Sequence, residues 1–533
     1  MSNTLKMISR VILRARTLAT NKFVCHVSDK VDDWDGPQRQ YWREACHTLP
    51  FYAEHEGKRY CVLHYPGHDK KEYFRKALED KLRRTDYDFR GAVFPEEFSD
   101  LHHADLNGRA DFSGAIFMEG AEFSGTSFRT VNFSQAEFKI FALFDDTKFG
   151  DDARFAAAEF NGLIANFSDA EFSGEAGFAD AKFKGEQASF DRAKFNGALT
   201  VFADTRFSNE ELTLFNETEF SGRLTNFHGV KFSGGLTSFR EAKFAAQWTS
   251  FTEVEFDAKT TYFRSTTFKG GQIDFVRAEF GSTETDFTRA IFGTELTFKG
   301  ATFKDKILFS GAAGNASFDP QARVQFSPAR IEKPELLSFN AVLLRPSWFI
   351  NTDVRKVDFT DVKWYGMPGG PEGNIEAEVK ALEERGVESP YTLLSQACRR
   401  LSGNAEENRE YPLANEFYYW SMNSLRKEGW RNLGAIGTLY WALSGYGVRA
   451  TRAFLVLVGI CAAFAALYIV FGPPKLGDLG QALVYSLGAV ARLNPEPRPT
   501  EPGLFQFLVI VEGLLGPLQI ALLALAVRRK VMR

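Results

Sequence analysis

Residues 181–202 read Ala-Lys-Phe-Lys-Gly-Glu-Gln-Ala-Ser-Phe-Asp-Arg-Ala-Lys-Phe-Asn-Gly-Ala-Leu-Thr-Val-Phe, with Phe at 183, 190, 195 and 202. The same ruler runs on through Phe207, Phe215, Phe220, Phe227, Phe232, Phe239 and Phe244 to Phe292, with gaps that alternate 5 and 7 and include one 8. The period is 12 or 13 residues. An amphipathic helix needs apolar residues every three to four positions, and these gaps do not supply them. Two residues before the Phe that closes each short gap stands a small or β-branched residue, as at Ala181, Ala193, Thr205, Thr218 and Val230. Short extended pieces with a turn every few residues fit this pattern. No such piece buries its apolar face alone, but stacked coils share one continuous core.

The composition agrees with a repeated core position. Phe supplies 53 of 533 residues. Hydrophobic residues make up 44% and charged residues 25%, as in an ordinary folded protein. The net charge of −4 excludes a generally basic nucleic-acid binder. Five Cys in this length do not make a disulfide scaffold.

The units Ala104-Asp105-Leu106-Asn107-Gly108, Ala170-Glu171-Phe172-Ser173-Gly174 and Ala193-Lys194-Phe195-Asn196-Gly197 resemble pentapeptide repeats. The resemblance covers 86–364 and implies a mainly β fold, a right-handed quadrilateral β-helix with the central Leu or Phe and the small residue before it pointing into the bore. Phe339, Phe359 and Trp364 are outlying core candidates. The longer gaps depart from a strict period of five. Four Phe per coil then use 5+7+5+7, or 24, residues. About eight coils fit between Phe112 and Phe309, a rod of about 40 Å at roughly 4.8 Å per coil. The extra residues are expected to bulge at two of the four corners. Residues 101–300 hold 30 acids and 20 Lys or Arg, a net of −10. Some relatives of this fold imitate DNA with such acidity, which is the weakest functional reading here; no nucleic acid is expected to bind.

The segment 1–85 reads as a cap. Met1 to Lys22 has no apolar core of signal-peptide length and carries a basic amphipathic pattern. Cys25, His26, Cys46, His47, His55, Cys61, His64 and His68 cluster after it. Cys61-Val62-Leu63-His64 spaces two ligands for one metal on a tight turn. With Cys25 and Cys46 they complete a tetrahedral set, and thiolates favour a structural Zn. His47 or His68 are alternative ligands.

After the rod, 365–390 reads as a linker ending in a short helix. Residues 391–450 have helical spacing, sufficient for a helical hairpin, and end in an interfacial belt of Trp430, Tyr440, Trp441, Tyr446 and Arg449. In 451–533, Phe454–Phe471 carries no charge and Leu504–Val527 carries one, Glu512. Each is about long enough to span a bilayer. Arg449, Arg452, Arg528, Arg529, Lys530 and Arg533 flank the pair. The positive-inside rule therefore puts both ends, and the rod, in the cytoplasm.

Between the spans, Leu479–Val490 is apolar and too short to cross, which predicts a re-entrant half helix. This order resembles the two-span ion-channel domain over about Leu457 to Arg529. The resemblance implies a bacterial inner-membrane homo-oligomer, a tetramer, around a pore. Gly488-Ala489-Val490-Ala491-Arg492-Leu493-Asn494-Pro495 stands where a Thr-Val-Gly-Tyr-Gly filter would, so potassium selectivity does not follow. The re-entrant candidates are Gln481, Ser486, Arg492 and Asn494. Glu512, Gly516 and Gln519 share one helix face and are the pore-lining candidates, with Arg492 as charge partner of Glu512. The other reading has Glu512 near the boundary and Gly513 and Gly516 serving close packing.

No nucleophile–base pair or phosphate loop is visible, so catalysis is not expected. Two readings lead. One is a channel-like oligomer whose β-helix is a sensor or docking rod. The other is a membrane-tethered scaffold with no pore, whose rod binds a cytoplasmic protein.

Overall fold

The computed structural model describes residues 23–531, apart from 24, 30–48, 294, 312–317, 320–321, 327–328, 494 and 500–502. Met1 to Lys22, Cys46, His47 and Asn494 therefore lie outside the described residues. The chain divides into two units, Met1–Val324 and Gln325–Arg533.

In the first unit each Phe of the ruler falls into one of four columns. One column holds Phe98, Phe123, Phe144, Phe167, Phe190, Phe215, Phe239, Phe263, Phe287 and Phe309. From Phe123 on, successive rings stack at 4.7–5.1 Å and within 9° of parallel. The other columns run from Phe89 to Phe298, from Phe94 to Phe303 and from Leu106 to Phe318. Strands of two or three residues pair in parallel with those one coil away, as in Phe172 opposite Phe195 and Phe183 opposite Phe207. This is a parallel β-solenoid filled with aromatic rings. The coil count expected between Phe112 and Phe309 agrees with these columns.

The alternating gaps become two kinds of corner. After Phe178 and Phe190 the chain turns tightly. The Ala181 and Ala193 N–H groups donate to Phe178 O and Phe190 O at 3.0 Å, with Asp180 and Arg192 at φ of 58° and 57°. After Phe183 and Phe195 the extra residues widen the corner and carry Gly185 and Gly197. A Cβ there would lie 1.5 Å from Gly162 O and 1.7 Å from Gly174 O, so the neighbouring coil's backbone admits only glycine without shifting. The extra residues thus sit at two of the four corners, as the spacing predicts. Where Thr replaces the inward Ala just after a tight corner, as at Thr205 and Thr218, its hydroxyl finds a carbonyl one coil back. Thr205 Oγ1 donates to Phe178 O at 2.7 Å and Thr218 Oγ1 to Phe190 O at 2.8 Å. That satisfies a group whose burial would otherwise cost about 1–3 kcal/mol.

Ahead of the first coil, β1 (Phe51–His55) and β2 (Lys58–Cys61) form a hairpin, followed by α1 (Lys71–Arg83). Phe74 and Leu78 of α1 are buried, and Phe74 meets Phe94 edge-on at 5.3 Å. The apolar face of α1 therefore closes this end of the ring column.

The second unit opens with further stacked rings, Phe326 on Phe349 and Phe339 on Phe359. Trp364 meets Phe417 edge-on at 5.1 Å. All three outlying core candidates thus pack within this unit's own aromatic core. Then come α2 (Ile375–Glu383), α3 (Pro390–Glu407), α4 (Tyr411–Glu428) and α5 (Trp430–Ser444). Asn404 of α3 donates to Val354 O and Val357 O at 2.9 and 2.7 Å, satisfying carbonyls of the turn that precedes the last strands. Buried Glu378 of α2 is held by Arg345 at 2.9 Å. The last three helices are α6 (Ala450–Phe471), α7 (Leu479–Val490) and α8 (Leu504–Val531). α6 and α8 are long and apolar enough to cross a membrane, with mean hydropathy of 2.7 and 2.1.

Candidate functional site

Two constellations stand out from the solenoid's ion-paired surface. The first lies in the apolar hairpin. α7 starts at Asp478, whose carboxylate accepts from the N–H groups of Gly480 and Gln481 at 3.0 and 3.2 Å. It packs against α6 and α8 through Ala482 and Tyr485, beside Phe464, Ala465, Tyr468 and Leu508. A Cβ on Gly516 would lie 2.8 Å from Val490 Cα, so this glycine lets α8 approach the end of α7. The chain then turns back at Arg492, which has φ of 56° and is exposed.

Glu512 is fully buried in this packing. Tyr468 Oη and Ser486 Oγ each reach one of its carboxyl oxygens at 2.5 Å. Ser486 Oγ also lies 3.2 Å from Cys461 O. Gln519 Nε2 donates to Leu443 O at 2.9 Å and Ala453 O at 2.7 Å. Glu512, Gly516 and Gln519 do share a face, and that face meets the chain's own helices. Exposed Arg492 is not the described partner of Glu512; two hydroxyls take that place, because an uncharged donor needs no desolvation of a second charge. Tyr468 was the missing residue, and its signal was a lone phenol in an otherwise apolar span. Gln481 is exposed at the first turn of α7.

The outward faces of the two long helices differ in kind. Phe454, Leu455, Val458, Ile469 and Val470 of α6 are exposed, as are Phe507, Ile510, Leu514, Leu518 and Val527 of α8. At one end, Arg426 and Arg452 lie over the Trp441 ring, Arg449 over Tyr419 and Arg529 over Tyr418, at 4.2–5.0 Å. Arg449 also pairs with Glu416 at 2.7 Å. Of the expected belt, Trp441 and Arg449 are in this aromatic and basic girdle, whereas Tyr446 is buried.

The second constellation is in the cap. Cys61 ends β2, and the His64 and Tyr65 N–H groups donate to Cys61 O at 3.2 and 3.0 Å. This tight turn brings His64 Nδ1 to 3.0 Å from Cys61 Sγ and 3.6 Å from Cys25 Sγ. The three ligand atoms lie within 4.8 Å of one another, and all three residues are buried. His64 Nε2 donates to Arg90 O at 2.7 Å. Burial alone would push the His64 imidazole down; its hydrogen bonds with Cys25 and Cys61 outweigh burial and hold it at about 10. Fully buried Lys70 donates to Leu63 O at 2.7 Å. Burial pushes it down to about 7, against the pull of Cys61 and Cys25. Lys70 carried no sequence signal beyond its place among charged neighbours. His68, an alternative ligand, is exposed.

A family model described as pentapeptide repeats matches residues 97–135, in eight copies. No curated protein and no solved structure matches the chain. The matched stretch holds Phe98, Phe112, Phe117, Phe123, Phe128 and Phe133, which lie in all four columns of the solenoid. The columns continue with the same strand register far beyond it. The chain thus carries pentapeptide repeats at 97–135 within a longer parallel β-solenoid, together with two apolar helices long enough to cross a membrane.

Proposed function

We propose that the protein is a membrane-tethered docking rod, with α6 and α8 crossing the bilayer and the solenoid on the cytoplasmic side. One observation carries this reading. Inside the two long helices the polar side chains Cys461, Tyr468, Glu512 and Gln519 are all buried against the chain itself, and the outward faces are apolar. A hairpin so arranged turns an apolar surface to lipid and keeps these polar side chains away from it. The basic and aromatic girdle supports the orientation, since Arg favours the cytoplasmic side and Trp and Tyr mark a membrane–water interface. On the rod, Ile140, Leu163 and Ile164 stand exposed on neighbouring coils, with Leu163 N–H bonded to Ile140 O. They offer a partner protein an apolar foothold among ion pairs.

The span–half helix–span order favours a second reading, a channel-like oligomer in the bacterial inner membrane with the rod as sensor. Its pore would be built between copies from the backbone that follows α7, since Glu512, Gly516 and Gln519 are engaged within one chain. Fractionation and conductance separate the readings. The tether reading expects the full chain to stay in membranes through an alkaline carbonate wash and to pass no current in planar bilayers. Release by the wash overturns a membrane span. Discrete currents altered by Glu512→Gln overturn the tether in favour of the channel.

A further inference from the structure

The cap holds a buried cluster that neither the solenoid nor the hairpin uses. Cys25 and Cys61 supply two sulfurs and His64 one nitrogen, from segments 36 and 39 residues apart in sequence. In a tetrahedral site, Zn–S of about 2.3 Å and Zn–N of about 2.0 Å put ligand atoms roughly 3.5–3.8 Å apart. The 3.6 Å from Cys25 Sγ to His64 Nδ1 falls in that range, and the 3.0 Å from Cys61 Sγ needs a shift of about half an ångström.

The surroundings are those of a metal ligand set. A carbonyl only accepts, so Nε2 donates to Arg90 O and Nδ1 is the ring atom that faces the two sulfurs. The Cys61 N–H points at Cys25 Sγ at 3.5 Å and would stabilise a thiolate there. The turn itself is anchored on the solenoid, because Val93 N–H donates to Leu63 O at 2.8 Å. Nearby Lys70 is fully buried and donates to the same Leu63 O, which holds the turn in place.

We propose that Cys25, Cys61 and His64 supply three of the ligands of a structural zinc ion that ties the segment around Cys25 to the β2 turn and so to the first coil. Binding displaces the protons held by the two thiols and by Nδ1, which leave to solvent, and the two thiolates and the neutral imidazole donate to Zn2+. The test uses the full chain in mild detergent, purified without chelator or a metal-binding tag, and metal analysis by mass spectrometry. About one zinc per chain is expected. Cys61→Ser and His64→Ala should lose it, while Cys398→Ser should keep it. A variant that misfolds would mimic loss, so Co2+ is titrated into metal-stripped wild-type chain as well. Thiolate-to-cobalt charge-transfer absorption is expected, and it should vanish in Cys25→Ser. A zinc-free wild-type chain that gives no such absorption overturns the site. So does zinc retained in full by both Cys61→Ser and His64→Ala.

Discussion

Phe202 tests whether the ring columns carry the solenoid's stability. Its side chain is fully buried. It stacks on Phe178 and Phe227 at 4.8 and 5.0 Å and meets Phe190, Phe195 and Phe215 edge-on at 5.6–5.8 Å. Phe→Ala in a core costs about 3–5 kcal/mol, more where the site cannot collapse. Collapse is hard here, because ladder bonds such as Phe202 N–H to Asn226 O at 2.8 Å fix the coil spacing. Phe202→Ala should therefore sit at the upper end. Phe202→Leu keeps most of the volume and loses the aromatic geometry, for about 1–2 kcal/mol.

The assay is hydrogen exchange of the full chain, read by peptide. A solenoid's stability is close to a sum over coils and their interfaces, so the loss is local. At about 1.4 kcal/mol per factor of ten, amides of the coil around Phe202 should exchange roughly 10²–10⁴-fold faster in Phe202→Ala. Coils near Phe98 should change little. Acceleration under tenfold at this coil would refute the ring columns as the stabilising core. Equal acceleration along the whole rod would refute the nearest-neighbour argument.

Ala157 is exposed at a tight corner with φ of 54°, which costs an L-residue about 1–2 kcal/mol. Ala157→Gly should stabilise the rod by about 0.5–1 kcal/mol after the added freedom of the unfolded chain, and denaturant melts would show it. The Lys182 ammonium hydrogen-bonded to Glu159 holds that carboxyl at about 2, below its ordinary 4.5. The pair's contribution is then complete above about 4.5 and is lost as pH falls through about 2. Lys182→Ala should move the Glu159 midpoint in an NMR titration back toward 4.5. Glu512→Ala strips the acceptor from two buried hydroxyls, at about 1–3 kcal/mol each, and should lower the unfolding midpoint in detergent. Tyr468→Phe on that background should recover part of the loss, whereas no recovery would show that the phenol finds another partner.

The solenoid was legible because its core position recurs. One residue type at alternating gaps states the strand, the corner and the inward direction at once, and each coil repeats the statement. Even the departure from a period of five had a structural meaning, two wide corners whose glycines face a neighbouring backbone. The hairpin was legible as elements for a similar reason, since length and apolarity decide a span. What a single acid inside it does was not legible. Glu512 shares a face with Gly516 and Gln519, read either as pore-lining or as close packing, because helical spacing gives a face without naming what covers it. Its cover comes from Tyr468 and Ser486, 44 and 26 residues earlier in the chain. The cap shows the same division. Cys61 and His64 declared themselves through local spacing, while Lys70 and the Arg90 carbonyl enter only through tertiary approach. Periodic and local chemistry can be read along the chain. A polar partner brought in from another element leaves no period, and in this protein both candidate sites are completed by such partners.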